Sequence, residues 1–259
     1  MVRKISLLFL FWISAIFTFA QYTEQISSDR PGQAYSATTV GGGIFQLQFG
    51  GGYSTPDDAT INSNEFLTPL TLRYGITEHL ELSFDWTFQY VEYVTALETF
   101  SRTGLNSPSL SARLNINDRQ NGIVPVLTVQ GGAQLKWDAL EFSSDEILPF
   151  GRLIAGYSIG DKFGINLNYG LRANPDSETV VHSYVTNFSY NFTDNFGAIV
   201  EFYGDVFENL HIARFDYGLY LLVTDNLQLD LNAGGHTLNS VLNPFFINGG
   251  VSWRVGRKQ

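Results

Sequence analysis

Cysteine is absent from the 259 residues. That excludes disulfides, thiolate catalysis, cysteine-ligated zinc and lipid attached to an N-terminal cysteine. Proline is scarce at 8 residues while glycine reaches 25, which fits neither collagen nor a disordered tail. Charged residues make up only 15%, matched by 15% aromatics. Few charges with many Tyr and Phe suit a protein whose outer surface is not all in water. Positive charge is the scarcer sign: the formal net charge is −10, with no Lys/Arg cluster beyond the N-terminus. Phosphate backbones require a basic footprint, so nucleic acid is not an expected partner. Past the first twenty residues no apolar run is long enough for a membrane helix.

Catalytic and metal motifs are also wanting. The four histidines are His79, His182, His211 and His236; no pair has zinc-ligand spacing. His182 has Ser183 beside it, but strand neighbours point to opposite faces. His211 and Asp205 lie close in what reads as one loop. No nucleophile motif such as Gly-x-Ser-x-Gly accompanies them. The glycine groups at 41–43, 50–52, 131–132, 234–235 and 249–250 open no helix, so they are not phosphate cradles. In strands such glycines mark bends or close backbone approach. They could make room for the N-terminal segment. The chain reads as a non-enzyme with no cofactor and no metal.

What is present begins at the N-terminus. Arg3 and Lys4 precede an apolar stretch from Ile5 to Phe19, and Thr18 and Ala20 are small residues before a cut at Gln21. Residues 1–20 read as a cleaved secretory signal peptide. Its loss takes Arg3 and Lys4 with it and the formal charge from −10 to −12. Residues 21–43 are polar and turn-rich, an extended segment without regular structure and a candidate lumen plug. Residues 44–259 read as strands.

The strand signal is strict alternation. Leu80, Leu82, Phe84, Trp86 and Phe88 fall on one face, and Glu81, Ser83, Asp85, Thr87 and Gln89 on the other. Leu227-Gln228-Leu229-Asp230-Leu231-Asn232 repeats the pattern. A short turn of the form apolar, Thr or Gly, acid recurs at Ile76-Thr77-Glu78, Ile159-Gly160-Asp161 and Val223-Thr224-Asp225. Between the short turns lie long connections, at 54–64, 94–106, 137–146, 174–178, 204–211 and 236–243. Alternating short and long connections over about twelve strands predict an all-β, transmembrane, antiparallel up-and-down β-barrel. Its short turns lie on the periplasmic rim and its longer loops outside. Tyr74, Tyr157, Phe163, Tyr190 and Phe196 would form an aromatic girdle.

Ser28-Asp29-Arg30-Pro31, Gln46-Leu47-Gln48 and Leu70-Thr71-Leu72-Arg73-Tyr74-Gly75 carry a resemblance. So do Glu201-Phe202-Tyr203-Gly204, Asp216-Tyr217-Gly218 with Leu221, Asn226-Leu227-Gln228-Leu229-Asp230 and the closing Ser252-Trp253-Arg254. In their order and spacing the chain resembles the outer-membrane barrel family labelled for the meta-pathway of phenol degradation. The resemblance implies an outer-membrane barrel with a transport role.

A membrane barrel turns its polar face inward. The candidate pore-lining residues are therefore Arg73, Glu81, Asp85, Arg113, Arg152, Arg172, Glu201, Arg214, Asp216, Asp230 and Arg254. One reading makes them a charged filter; the other makes them a salt-bridged plug that holds a narrow lumen closed. The expected function is passive passage of a small solute, hydrophobic or aromatic, in the outer membrane of a Gram-negative bacterium. The alternatives are a non-transporting structural or interaction barrel and an outer-membrane hydrolase. Expected partners are outer-membrane lipid and lipopolysaccharide, and the barrel-assembly machinery during insertion. The many acids in the long connections read as solvated loops, or as a lure for cations.

Overall fold

Alternating residues want two different surroundings, and the chain supplies them by rolling a sheet into a cylinder. The computed structural model describes residues 25–55, 62–95, 97–117, 119–137, 140–174, 179–207, 210–236 and 245–255. The signal peptide expected over 1–20 lies outside the described residues. The strands are β1 (Phe45–Ser54), β2 (Asn62–Gly75), β3 (Leu80–Val94), β4 (Thr99–Leu105), β5 (Ser109–Asn117), β6 (Val126–Gln134) and β7 (Leu148–Ile159). They continue with β8 (Phe163–Ala173), β9 (Val180–Asn191), β10 (Phe196–Phe207), β11 (Leu210–Thr224), β12 (Leu227–His236) and β13 (Phe245–Val255). Sequence neighbours pair antiparallel, except that β4 and β5 both pair with β3 and not with each other, and β1 pairs with β13 to close the ring. No helix among the described residues is long and apolar enough to cross a membrane.

The ring has 12 wall strands, with β4 as one more. Residues 94–106 were expected to be a loop; they hold β4 instead. β3 pairs with β5 only from Leu80 to Asp85. Its outer half, Phe88 to Val94, would be left with bare N–H and C=O groups, and β4 pairs with that half. Unsatisfied backbone is too costly at membrane depth for this half to stay single. β4 and β5 thus follow one another along β3, interrupted at Asn106–Pro108. Asp205 and His211 were likewise expected in a loop, but both are in strand register, as Asp205↔Ile212 and Val206↔His211.

The distribution of side chains is inverted relative to a protein surrounded by water. Leu82, Leu114, Leu167, Leu219, Leu229 and Trp253 lie 46–48% exposed on the outside. The largest fully buried side chains include Arg73, Arg113, Glu81, Gln46 and Glu201. Lipid makes this arrangement stable. Each outward Leu or Phe is worth about 1.5–3 kcal/mol once out of water, whereas an Arg there would cost roughly 2–4 kcal/mol at the midplane.

Short turns are locally satisfied. Thr77 Oγ1 accepts the N–H groups of His79 and Leu80 at 3.2 and 3.0 Å, and Thr193 Oγ1 accepts that of Phe196 at 3.1 Å. Gly160 takes the same place in its turn with φ +63°, a left-handed position that glycine tolerates. Aromatics mark both rims. Phe45, Tyr74, Tyr190 and Phe196 are exposed near the short-turn end. At the other end Tyr53 packs on Phe66 and Phe245 with ring centroids 5.0 and 5.9 Å apart.

Candidate functional site

Inside the ring lies the N-terminal segment, from Gln25 to Ile44. It is not a strand. Its two ends bond wall backbone, Ile26 N–H to the Asp225 carbonyl at 2.7 Å and Gly43 N–H to that of Gly75 at 2.8 Å, and between them wall side chains must satisfy its backbone. This requirement accounts for much of the polar interior. Glu201 accepts the N–H groups of Gln33 and Ala34 at 2.5 and 3.1 Å. Asn168 Oδ1 accepts that of Tyr35 at 2.6 Å, while Asn166 and Asn168 donate to the Tyr35 carbonyl. Asn115 donates to the Ala37 carbonyl at 2.9 Å, and the Thr128 hydroxyl donates to it as well. Glu81 accepts the Val40 N–H at 2.9 Å. Gln46 and Arg73 both donate to the Ser27 carbonyl at 3.0 Å.

Side chains of the segment complete the charge balance. Asp29 sits against Arg113 at 2.5 Å and Arg73 at 3.6 Å. Arg73 turns its Nε to Glu81 at 2.7 Å, and Glu81 lies 3.8 Å from Arg113. These are two cations and two anions, all nearly or wholly buried. Removing one partner from such a group is costly because the remaining charge keeps its desolvation penalty. Arg30 donates Nε and Nη2 to Asp230 at 3.2 and 2.9 Å. Its carbonyl accepts from Gln228 at 2.7 Å.

Wall glycines admit the segment. A Cβ on Gly50 would stand 2.7 Å from Arg30 Nη1, and one on Gly250 2.5 Å from Arg30 Cζ. A Cβ on Gly156 would stand 2.9 Å from that of Ala37.

The eleven candidate residues thus fall into groups. Arg73, Glu81 and Arg113 form one ion-paired cluster with Asp29. Glu201 and Asp230 hold the segment directly. Asp216 faces Glu201 across β10 and β11 and accepts from Asn232 at 3.4 Å. Arg254 donates to Asn226 at 2.7 Å and to the Gln25 carbonyl at 3.2 Å, near the short-turn end. Arg214 pairs with Asp205 at 3.3 Å toward the other end. Asp85 accepts the Thr71 hydroxyl at 2.7 Å. Arg152 and Arg172 border a cavity of about 350 Å³ that Asp85 also lines.

Sequence reasoning on the wall missed the partners on the segment: Asp29, Arg30, Gly32 and Tyr35. The signal available was the Ser28-to-Gln33 stretch itself, with an acid and a base inside an otherwise uncharged run. His182 and His211, considered for catalysis, are exposed residues. Tyr169 and His182 Nδ1 are 2.6 Å apart, and Tyr184 and His211 Nε2 are 2.8 Å apart.

Residues 28–255 match the model of the family described as "Putative MetA-pathway of phenol degradation". Among solved structures the chain is similar to an outer-membrane channel from Pseudomonas putida F1. The TM-score is 0.67 at 15% identity over 87% of this chain and 99% of that one. It is also similar to the KdgM porin in complex with disordered oligogalacturonate, with a TM-score of 0.57 at 9% identity over 80% and 98%. A third likeness is to the NanC porin, at 0.54 and 13% identity over 81% and 100%. At these identities the likeness is one of fold. Among curated proteins the chain finds no match.

Proposed function

The chain belongs to the phenol-degradation family whose model matches its residues 28–255, and from that premise we propose that it is a passive outer-membrane channel for small solutes in a Gram-negative bacterium. Of the plug segment expected over residues 21–43, the described part, Gln25 to Gly43, narrows the lumen. One observation carries the reading: a closed cylinder with lipid-compatible side chains outside retains water-sized space on both sides of its inner segment. A cavity of about 270 Å³ borders Gln25, Asn191 and Asp194 at the short-turn end. Others of about 350 and 380 Å³ border Phe150 and Tyr53 toward the opposite end. Passage would follow the polar wall by diffusion, with selection by fixed charge. No energy input and no cofactor are required. Lipid and lipopolysaccharide would contact the outside, and the barrel-assembly machinery would insert the chain.

The buried cluster of Asp29, Arg73, Glu81 and Arg113 favours a second reading, a barrel whose lumen is locked and whose role is structural. The test is conductance of the purified protein in planar bilayers, beside liposome swelling with small neutral solutes. The channel reading expects a small conductance that rises severalfold when residues 21–39 are deleted. No conductance in either form sinks it and leaves the structural barrel. Mass measurement of the exported protein, with Gln21 as first residue, checks the signal peptide.

A further inference from the structure

Charge inside the ring is not uniformly neutralised. Arg73 and Arg113 have carboxylates against them, and so does Arg214. Arg152 and Arg172 have none among the described residues. Arg152 gives one N–H to Gln130 Oε1 at 2.6 Å and lays its guanidinium 3.6 Å from the centroid of the Tyr35 ring. The Arg172 side chain makes no hydrogen bond or ion pair among the described residues and is exposed.

The register brings the two together. Arg152 is opposite Gly170 and Phe150 is opposite Arg172. Arg152 Nε would be in ordinary contact, at 3.7 Å, with a Cβ on Gly170, so Arg152 lies beside β8, one inward position from Arg172. Diagonal neighbours of this kind on one face of a sheet are within reach of long side chains. Both line the cavity of about 350 Å³, which also holds Tyr35, Phe150, Leu148 and Pro69. The volume is at the small end for ligand sites, and the lining mixes these apolar groups with Thr71, Asp85, Gln130 and Gln134.

We propose that this cavity binds an aromatic carboxylate, the ring against Phe150, Leu148 and Pro69 and the carboxylate between the guanidiniums of Arg152 and Arg172. The assignment rests on the channel reading and names its solute class. Guanidinium donors match a carboxylate in plane and in number. Arg152 has donors left after its bond to Gln130. Stacking on Tyr35 fixes its plane, which lowers the ordering cost of a bound anion. Asp85 lies on the far wall, on β3, with the Thr71 hydroxyl on one oxygen. It repels an anion from that side and so directs the carboxylate toward the arginines.

Titration calorimetry on the full mature protein in detergent tests this with three probes of one shape: benzoate, benzyl alcohol and benzylamine. Benzoate is expected to bind at least tenfold tighter than benzyl alcohol, with benzylamine weakest. Arg172→Gln should bring the benzoate to benzyl alcohol ratio near one. Arg172→Glu should move the preference to benzylamine. A heat-modifiable gel shift confirms that each variant is a folded barrel. Benzoate bound no better than benzyl alcohol, or a preference unmoved by either substitution, overturns the proposal. Liposome swelling separates this from the channel reading. Neutral solutes that pass while benzoate is not preferred overturn only the ligand assignment. Preferential benzoate binding in a barrel that passes nothing upholds the site and overturns the channel.

Discussion

Single residues decide how the inner segment is held. Gly32 has φ +96°, and a Cβ on it would stand 2.5 Å from the Glu201 carboxyl carbon. Gly32→Ala therefore meets both backbone strain and a clash with the group that accepts the Gln33 and Ala34 N–H groups. The expected cost is about 1–3 kcal/mol, concentrated on the segment and not the wall. Protease cleavage within residues 25–43 should speed up while the gel shift of the folded barrel persists. Unchanged cleavage would mean that the contact at Glu201 is dispensable. Arg113 poses a different problem. Arg113→Ala leaves Asp29 and Glu81 sharing Arg73 alone, at an expected cost of about 3–5 kcal/mol. The urea midpoint of the refolded barrel reads that loss. Adding Asp29→Asn should recover part of it, because the second charge no longer needs a partner.

Strands set the depth at which each side chain meets the bilayer. Phe45 and Tyr53 on β1 are eight residues apart, as are Leu82 and Tyr90 on β3, paired with Tyr74 and Phe66. Eight residues span about 26 Å along a strand. Tilting as barrels require shortens this to roughly 20 Å of depth, close to the apolar band of such proteins. Leu167 is midway between Phe163 and Leu171 and 48% exposed. Leu167→Arg should lower folding stability in lipid vesicles by roughly 2–4 kcal/mol, and Leu167→Ala by much less. Equal effects would place the residue away from lipid. This level of organisation was legible in the sequence, because alternation in Leu80–Phe88 and the Thr-acid turns are local signals. β4 was not. Thr99–Leu105 has weak alternation, and it is a strand because β5 stops pairing with β3 at Asp85, a fact about another part of the chain.

At the scale of the whole molecule, the inward face was legible as a set of charges but not as a set of partners. Arg73, Glu81 and Arg113 could be placed on one face from periodicity alone. Their dependence on Asp29 could not, because 44 residues separate Asp29 from the nearest of them and no periodic rule links an irregular segment to a wall. The segment is bound along its length, at Arg30 by Asp230, at Gln33 by Glu201 and at Val40 by Glu81. A segment so fixed would have solute pass beside it and not displace it. The chain has no cysteine, so a single engineered pair is unambiguous. Ala37 and Gly156 are suited: an added Cβ on Gly156 would stand 2.9 Å from that of Ala37, and a small shift reaches disulfide geometry. The Ala37→Cys, Gly156→Cys protein should oxidise in high yield. Its conductance should be the same before and after reduction, within about twofold, while deletion of residues 21–39 raises it well beyond that. A conductance that appears only on reduction would instead make departure of the segment a required step of passage, and the contacts at Asp230, Glu201 and Glu81 would then be the latch.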